Sequence, residues 1–210
     1  MALIITEGKD KLRLNFEFSD NWIAYKYDEP SKENFYFSIS NLGLKAVDVV
    51  AKSNKCLLFM EIKYIMAEDS LSRMSFSANA DKVMLDQIRN SLSESDQEKV
   101  TITSKKPYIV DEVVKKTKDT ILGLLASQRQ TDKKLAVFNK SLFFDNQPII
   151  LILFLERNEK FNEPVYFKPM ASDLKIYIEK KIGFFGNIQV LVVNSLTISP
   201  ELGIKVVKYS

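Results

Sequence analysis

Apolar and polar positions divide the chain into recognisable segments. Lys11–Phe18 (KLRLNFEF) alternates apolar and polar residues, as a half-buried strand does. Trp22–Tyr27 (WIAYKY) either pairs with it or opens a helix, and Glu29-Pro30-Ser31 breaks the chain. Asn34–Leu42 (NFYFSISNL) is short and aromatic and fits a helix or a strand. Two apolar runs follow, Ala46–Ala51 and Cys56–Ile65, around a polar turn at Lys52–Lys55, and predict a β-hairpin. The next stretch, about 67–106, is the most polar part of the chain. It holds helical spacing over Ala80–Leu92 and then a solvated SESDQEK loop, and such a long polar connection marks an insertion.

Past Pro107 the spacing predicts a helix over Asp111–Ala126. Asp111 stands at its start, and Val113, Val114, Thr117, Ile121, Leu124 and Leu125 form its apolar stripe. Gln128–Lys134 is a polar exit. Gln147–Glu156 (QPIILILFLE) is almost wholly apolar and predicts a central buried strand. Ser172 can cap a helix through Lys181 with Leu174, Tyr177, Ile178 and Ile182 on one face. Gly183–Asn187 turns into a final strand, Ile188–Asn194. Strands come first and helices then alternate with strands, so the expected architecture is a single α/β domain over residues 1–210, built on a mixed sheet.

Only Asp48, Glu61 and Lys63 bring charge inside the hairpin runs. Ionised groups on a buried strand are costly unless they pair or bind a metal. Glu61 and Lys63 lie two apart and share one face of their strand. With the turn at Lys52–Lys55, Asp48 falls opposite a residue near Phe59, and Glu61 is its diagonal neighbour. Two carboxylates so placed can share a divalent cation, and a lysine one pleat on can hold or activate a water, which are the parts of metal-assisted phosphodiester attack. A plainer reading is a cross-strand salt bridge, but it leaves one acid unpaired on an apolar strand. Spacing alone does not separate the two: Asp119 followed by Asp132-Lys133-Lys134 repeats the gap with no hairpin, and there the charges read as solvated surface.

Composition narrows the chemistry. With no histidine, Ser-His-Asp and Cys-His sites and the usual zinc sites are excluded. A metal site must then use oxygen ligands, which suits Mg²⁺, Mn²⁺ or Ca²⁺. The single cysteine, Cys56, sits in an apolar run and reads as a core thiol. No apolar run approaches the ~18 residues of a membrane span, and Met1–Phe16 lacks the pattern of a signal peptide, so a cytoplasmic protein is expected. A net charge of only +3 permits nucleic-acid binding through a local patch without arguing for it. The aromatics Tyr25, Tyr27, Phe35, Tyr36 and Phe37 read as core, and Gly183-Phe184-Phe185-Gly186 as a turn, not a phosphate loop.

The D-x12-E-x-K pattern across a hairpin resembles the PD-(D/E)XK nuclease superfamily. The segments KYDE, NFYFSI, LKAVDVVA, LLFMEIKYI and KKTKDTILGLL, between Lys26 and Leu125, look similar to a group of uncharacterised bacterial proteins within it. The resemblance implies a restriction endonuclease-like fold: a helix, a three-stranded meander whose second and third strands are the hairpin, a helix and a further strand. It implies Asp48 and Glu61 as Mg²⁺ ligands (Mn²⁺ substituting), completed by the Ile62 carbonyl, with Lys63 orienting or helping to deprotonate the attacking water. Val47 stands where the motif's name has proline. An acid from the first helix is often a further ligand in the superfamily, and Asp28, Glu29 and Glu33 are all candidates. Lys116 and Lys118 on the later helix could face the phosphates, although solvated lysines are the preferred reading.

The activity so implied is Mg²⁺-dependent hydrolysis of DNA phosphodiester bonds, in bacterial phage defence, restriction or repair. The implied partners are DNA and either a second copy of the chain or a defence complex, with no membrane. The alternative is a non-catalytic interaction protein that keeps the fold.

Overall fold

A computed structural model describes residues 3–8, 13–65, 86–97 and 108–208. Its strands are β1 (Leu3–Glu7), β2 (Leu14–Phe18), β3 (Ile23–Lys26), β4 (Val49–Lys52), β5 (Leu57–Ile65), β6 (Ile149–Arg157), β7 (Ile188–Val193) and β8 (Ile204–Lys208). Its helices are α1 (Phe35–Ser40), α2 (Glu94–Gln97), α3 (Ile109–Arg129), α4 (Ala136–Phe143), α5 (Glu159–Asn162) and α6 (Pro164–Ile182).

The α/β architecture is the expected one, with a second sheet added. Strands β3-β4-β5-β6-β7 form a five-stranded mixed sheet, antiparallel from β3 to β5 and parallel from β5 to β7. Strands β1-β2-β8 form a separate antiparallel sheet. Side chains alternate across a strand, so the large sheet feeds two cores. Val50, Leu57, Phe59, Leu151 and Leu153 pack against α3, α4 and α6 through Val113, Leu124, Phe138, Leu174 and Ile178. Val49, Leu58, Met60, Ile62 and Phe154 pack the other way against Ile5, Leu14, Phe16 and Ile204 of the small sheet. Phe16 and Phe154 meet edge to face across that interface, ring centroids 4.9 Å apart.

Several expectations are corrected. Trp22–Tyr27 contributes β3, which pairs with β4 rather than with β2. The short α1 lies between the first and second strands of the β3-β4-β5 meander, not before it. Ser172 caps nothing: α6 begins eight residues earlier at Pro164, where proline loses no helical hydrogen bond. Its buried line is Phe167, Ala171, Leu174, Ile178 and Ile182, and Tyr177 is half exposed. Within the SESDQEK segment, α2 forms one exposed turn. Of the proposed insertion, residues 86–90 are helical, and 67–85 and 98–106 lie outside the described residues. Strands β1 and β8 and helix α4 were not anticipated from the pattern.

In α3 the buried line runs through Val110, Val113, Thr117, Thr120, Gly123, Leu124 and Ser127, while Leu125 of the expected stripe is 42% exposed. Polar residues can sit there because their hydroxyls are satisfied locally. Thr117 Oγ1 donates to the Val113 carbonyl at 2.8 Å and Ser127 Oγ to the Leu124 carbonyl at 2.8 Å. At Gly123 α3 comes close to Tyr27 and Ile39. A Cβ there would stand 2.5 Å from Tyr27 Oη and 2.9 Å from Ile39 Cδ1. Gly123→Ala is therefore expected to cost about 1–3 kcal/mol by overpacking despite alanine's better helix propensity. A urea melt that showed a stabilised variant would overturn this reading of the contact.

Candidate metal-binding acidic cluster

The hairpin sets the position of the acids. Val49 faces Met60, Val50 faces Phe59 and Lys52 faces Leu57, so continuing the ladder by one residue places Asp48 opposite Glu61, not diagonal to it. The difference comes from the turn, which spans Ser53–Cys56. Ser53 N donates to the Cys56 carbonyl at 2.9 Å, and Ser53 Oγ accepts from the backbone of Lys55 and Cys56. Moving the turn by one residue moves the register by two, which preserves the face. Asp48, Glu61 and Lys63 thus all point toward the helical layer, on the side of Val50 and Phe59.

Two backbone clamps fix Asp48. Its carbonyl accepts from Tyr27 N at 2.8 Å, and its Oδ2 accepts from Ile62 N at 2.5 Å. In a strand the N–H and C=O of one residue point to the same side, so the Ile62 carbonyl also faces the Asp48 side. Preceding residues are held by α3: Val47 N donates to Thr120 Oγ1 at 3.0 Å, and Lys45 N to Asp119 Oδ2 at 2.9 Å. Asp119 is therefore an anchor for the approach to β4, and its expected reading as solvated surface is corrected. It also pairs with Lys115 at 2.5 Å.

Two lysines converge on Glu61. Lys116 Nζ lies 2.7 Å from Glu61 Oε1 and 3.5 Å from Asp48 Oδ1, while Lys63 Nζ lies 3.0 Å from the same Glu61 oxygen and 2.7 Å from Glu112 Oε1. Lys116 is thus largely enclosed, contrary to its reading as a solvated lysine. Lys118, two residues on, projects to another side of the helix, exposed and 5.2 Å from the Phe184 ring centroid, and is not brought to the site.

Of the three candidate further acids, Asp28 is the one beside the hairpin pair. It lies in the bend after β3, near enough to Asp48 for the two carboxyl groups to act on one another. Glu29 and Glu33 are exposed, and Glu33 turns to Lys134 instead. Asp28 is the acid of the aromatic-Asp step, whose aromatic, Tyr27, is buried against Gly123. Glu7, from β1, acts on the same group and pairs with Lys26 at 2.7 Å. Neither Glu7 nor Glu112 stood out by spacing, because each arrives from a distant element.

The electrostatics follow from burial and like charge. Desolvation, then the neighbouring Asp48 carboxyl, push the Asp28 carboxyl up to about 8. Desolvation and Asp48 push the fully buried Glu61 up to about 7, against the pull of Lys116 and Lys63. Burial acts to lower both lysines, yet Glu61 and the other acids hold Lys116 and Lys63 above the usual range. Five carboxyl groups (Glu7, Asp28, Asp48, Glu61, Glu112) face three ammonium groups (Lys26, Lys63, Lys116). With every acid ionised the set would be two positive charges short, but Asp28 holds its proton at neutral pH, so the full deficit opens only once that proton leaves. Glu61 Oε2 and Asp28 Oδ1 are buried and accept no hydrogen bond from the described residues.

An all-oxygen, negatively charged, partly unsatisfied donor set fits a hard cation. The acids close around Lys116 rather than around an open centre, and among the described residues no three acidic or cysteine side chains stand ready-made as metal ligands. No protein-family model, curated protein or solved structure matches the chain. Among the described residues no helix is long and apolar enough to cross a membrane.

Proposed function

We propose that the protein is a divalent-metal-dependent nuclease of the PD-(D/E)XK type that hydrolyses DNA phosphodiester bonds, with a place in bacterial phage defence, restriction or repair. The observation that carries this reading is the convergence of Asp28, Asp48 and Glu61 with Lys63 and Lys116 in one buried cluster, three carboxyl groups against two ammonium groups. Asp48, Glu61 and the Ile62 carbonyl would hold Mg²⁺ or Mn²⁺, with Asp28 beside them. The cation supplies a Lewis acid for the phosphoryl oxygen and a water of lowered pKa. Lys63 is braced by Glu112 and keeps its proton at neutral pH, so it orients the attacking water and faces the developing negative charge rather than acting as a base. Purified protein incubated with plasmid, linear and single-stranded DNA in Mg²⁺ or Mn²⁺ is expected to cleave at least one of them. Loss of Mn²⁺ binding in Asp48→Asn is the accompanying check on the site.

A second reading is a non-catalytic interaction protein with this fold, working in a larger complex. The ammonium of Lys116 favours it, since it already sits between Asp48 and Glu61 and neutralises them without a metal. Wild-type protein that neither binds Mn²⁺ nor cuts DNA would decide for this alternative.

A further inference from the structure

Lys63 and Lys116 both touch Glu61 Oε1, but they are not equivalent. Lys63 has a second seat outside the ligand set: Glu112 Oε1 lies closer to it, at 2.7 Å, than Glu61 does at 3.0 Å. Lys116 has ion-pair contacts with Asp48 and Glu61 alone among the described residues, and both are proposed ligands. Its ammonium spans the two carboxylates at 3.5 and 2.7 Å, the position that a shared cation would take.

We infer that Lys116 is a built-in cation surrogate, which holds the acids together in the metal-free protein and must be displaced before a divalent cation binds. This rests on the metal-site reading of Asp48 and Glu61. The geometry provides somewhere to go. Glu112 lies four residues before Lys116 on α3, and residues at that spacing are neighbours on a helix surface. One change of side-chain rotamer moves the ammonium one turn back, toward Glu112 and out of the space between the carboxylates. There it no longer neutralises Asp48 and is free to meet a negatively charged substrate. Lys116 then serves two states of one site. It neutralises the acids when no metal is present, and it is freed as a phosphate-facing cation when metal is bound. Lys63 remains in place in both, because Glu112 holds it from the opposite side.

The apparent affinity of such a site is its intrinsic affinity scaled by the fraction of molecules from which the lysine has withdrawn. Lys116→Met removes the competitor and is expected to bind Mn²⁺ about tenfold more tightly than wild type, read by the loss of the free Mn²⁺ signal in electron paramagnetic resonance. Metal-free Lys116→Met is expected to melt below wild type, with saturating Mn²⁺ closing most of the gap. Equal or weaker Mn²⁺ binding by a folded Lys116→Met overturns the displacement while leaving the metal site standing. Absence of Mn²⁺ binding in both proteins overturns the site and the displacement together.

A measurement on the wild type covers the case in which the variant does not fold. Acetylation of Lys116 by a dilute amine-reactive reagent, followed by peptide mass spectrometry, is expected to speed up several-fold when Mn²⁺ is added. Lys115, exposed and paired to Asp119, serves as the internal reference. An unchanged ratio of Lys116 to Lys115 labelling overturns the displacement.

Discussion

Lys63→Met is expected to lower DNA cleavage in Mg²⁺ by about 10³-fold while leaving Mn²⁺ affinity within a few-fold of wild type. The two effects separate because Lys63 is braced by Glu112 and is not one of the oxygen ligands. Glu61→Gln is expected to lose both together. The amide keeps the shape but removes the charge that holds Lys63 and Lys116, and a neutral amide oxygen is a poorer ligand for a hard cation. Paired measurement of cleavage rate and Mn²⁺ binding for the two variants therefore reads the roles apart. Cleavage that survives either substitution would place the chemistry elsewhere. Equal loss of metal binding in both would mean that Lys63 does no more than maintain the shape of the cluster.

The second large effect is on stability. Asp28 and Glu61 are raised in the folded protein, to about 8 and about 7, above the ordinary carboxylate range near 4. Between those limits the folded state binds more protons than the unfolded state, so unfolding free energy falls as pH rises. The contribution is fully present below about pH 4 and is lost as pH rises through 7 to 8. The raised values of Lys63 and Lys116 act only above the ordinary lysine range near 10 and leave this window untouched. Metal-free protein is expected to be less stable at pH 8.5 than at pH 6 by on the order of 3 kcal/mol, one strongly shifted carboxyl's worth. A divalent cation must displace those protons, so Mn²⁺ is expected to raise the melting temperature more at pH 8.5 than at pH 6. Melting curves at the two pH values, with Mn²⁺ and with chelator, measure both. A metal-free protein that gains stability over this range would show that the cluster is not the dominant titrating group.

These predictions draw on residues of unequal legibility. Asp48, Glu61 and Lys63 were visible because they interrupt apolar runs, and a charge inside such a run has few cheap places to go. Their common face was visible too, because a strand alternates with period two and the two-residue shift in register does not alter parity. The shift itself was not visible, since it depends on how Ser53 caps its own turn. Lys116 and Asp119 looked like ordinary helix-surface charges, and periodicity alone ranked them so. Both owe their roles to how α3 packs beside the hairpin, where Asp119 and Thr120 hold the Lys45 and Val47 amides and Gly123 leaves room for Tyr27 and Ile39. Strands β1 and β8 went unread because each is short and partly exposed, and they become a sheet only through β2.

By itself the sequence determined the hairpin, the buried central strand, the helix that follows Pro107 and the shared face of three charges. Each is a local property, carried by side-chain periodicity over a few residues. The tertiary structure alone decided which acid joins them, that Lys116 lies between the carboxylates, and that five acids meet three lysines. Those facts join β1, the bend after β3, β4, β5 and α3. Charges from such separate segments acquire a common energy only when packing brings them within a few ångströms and removes the water between them.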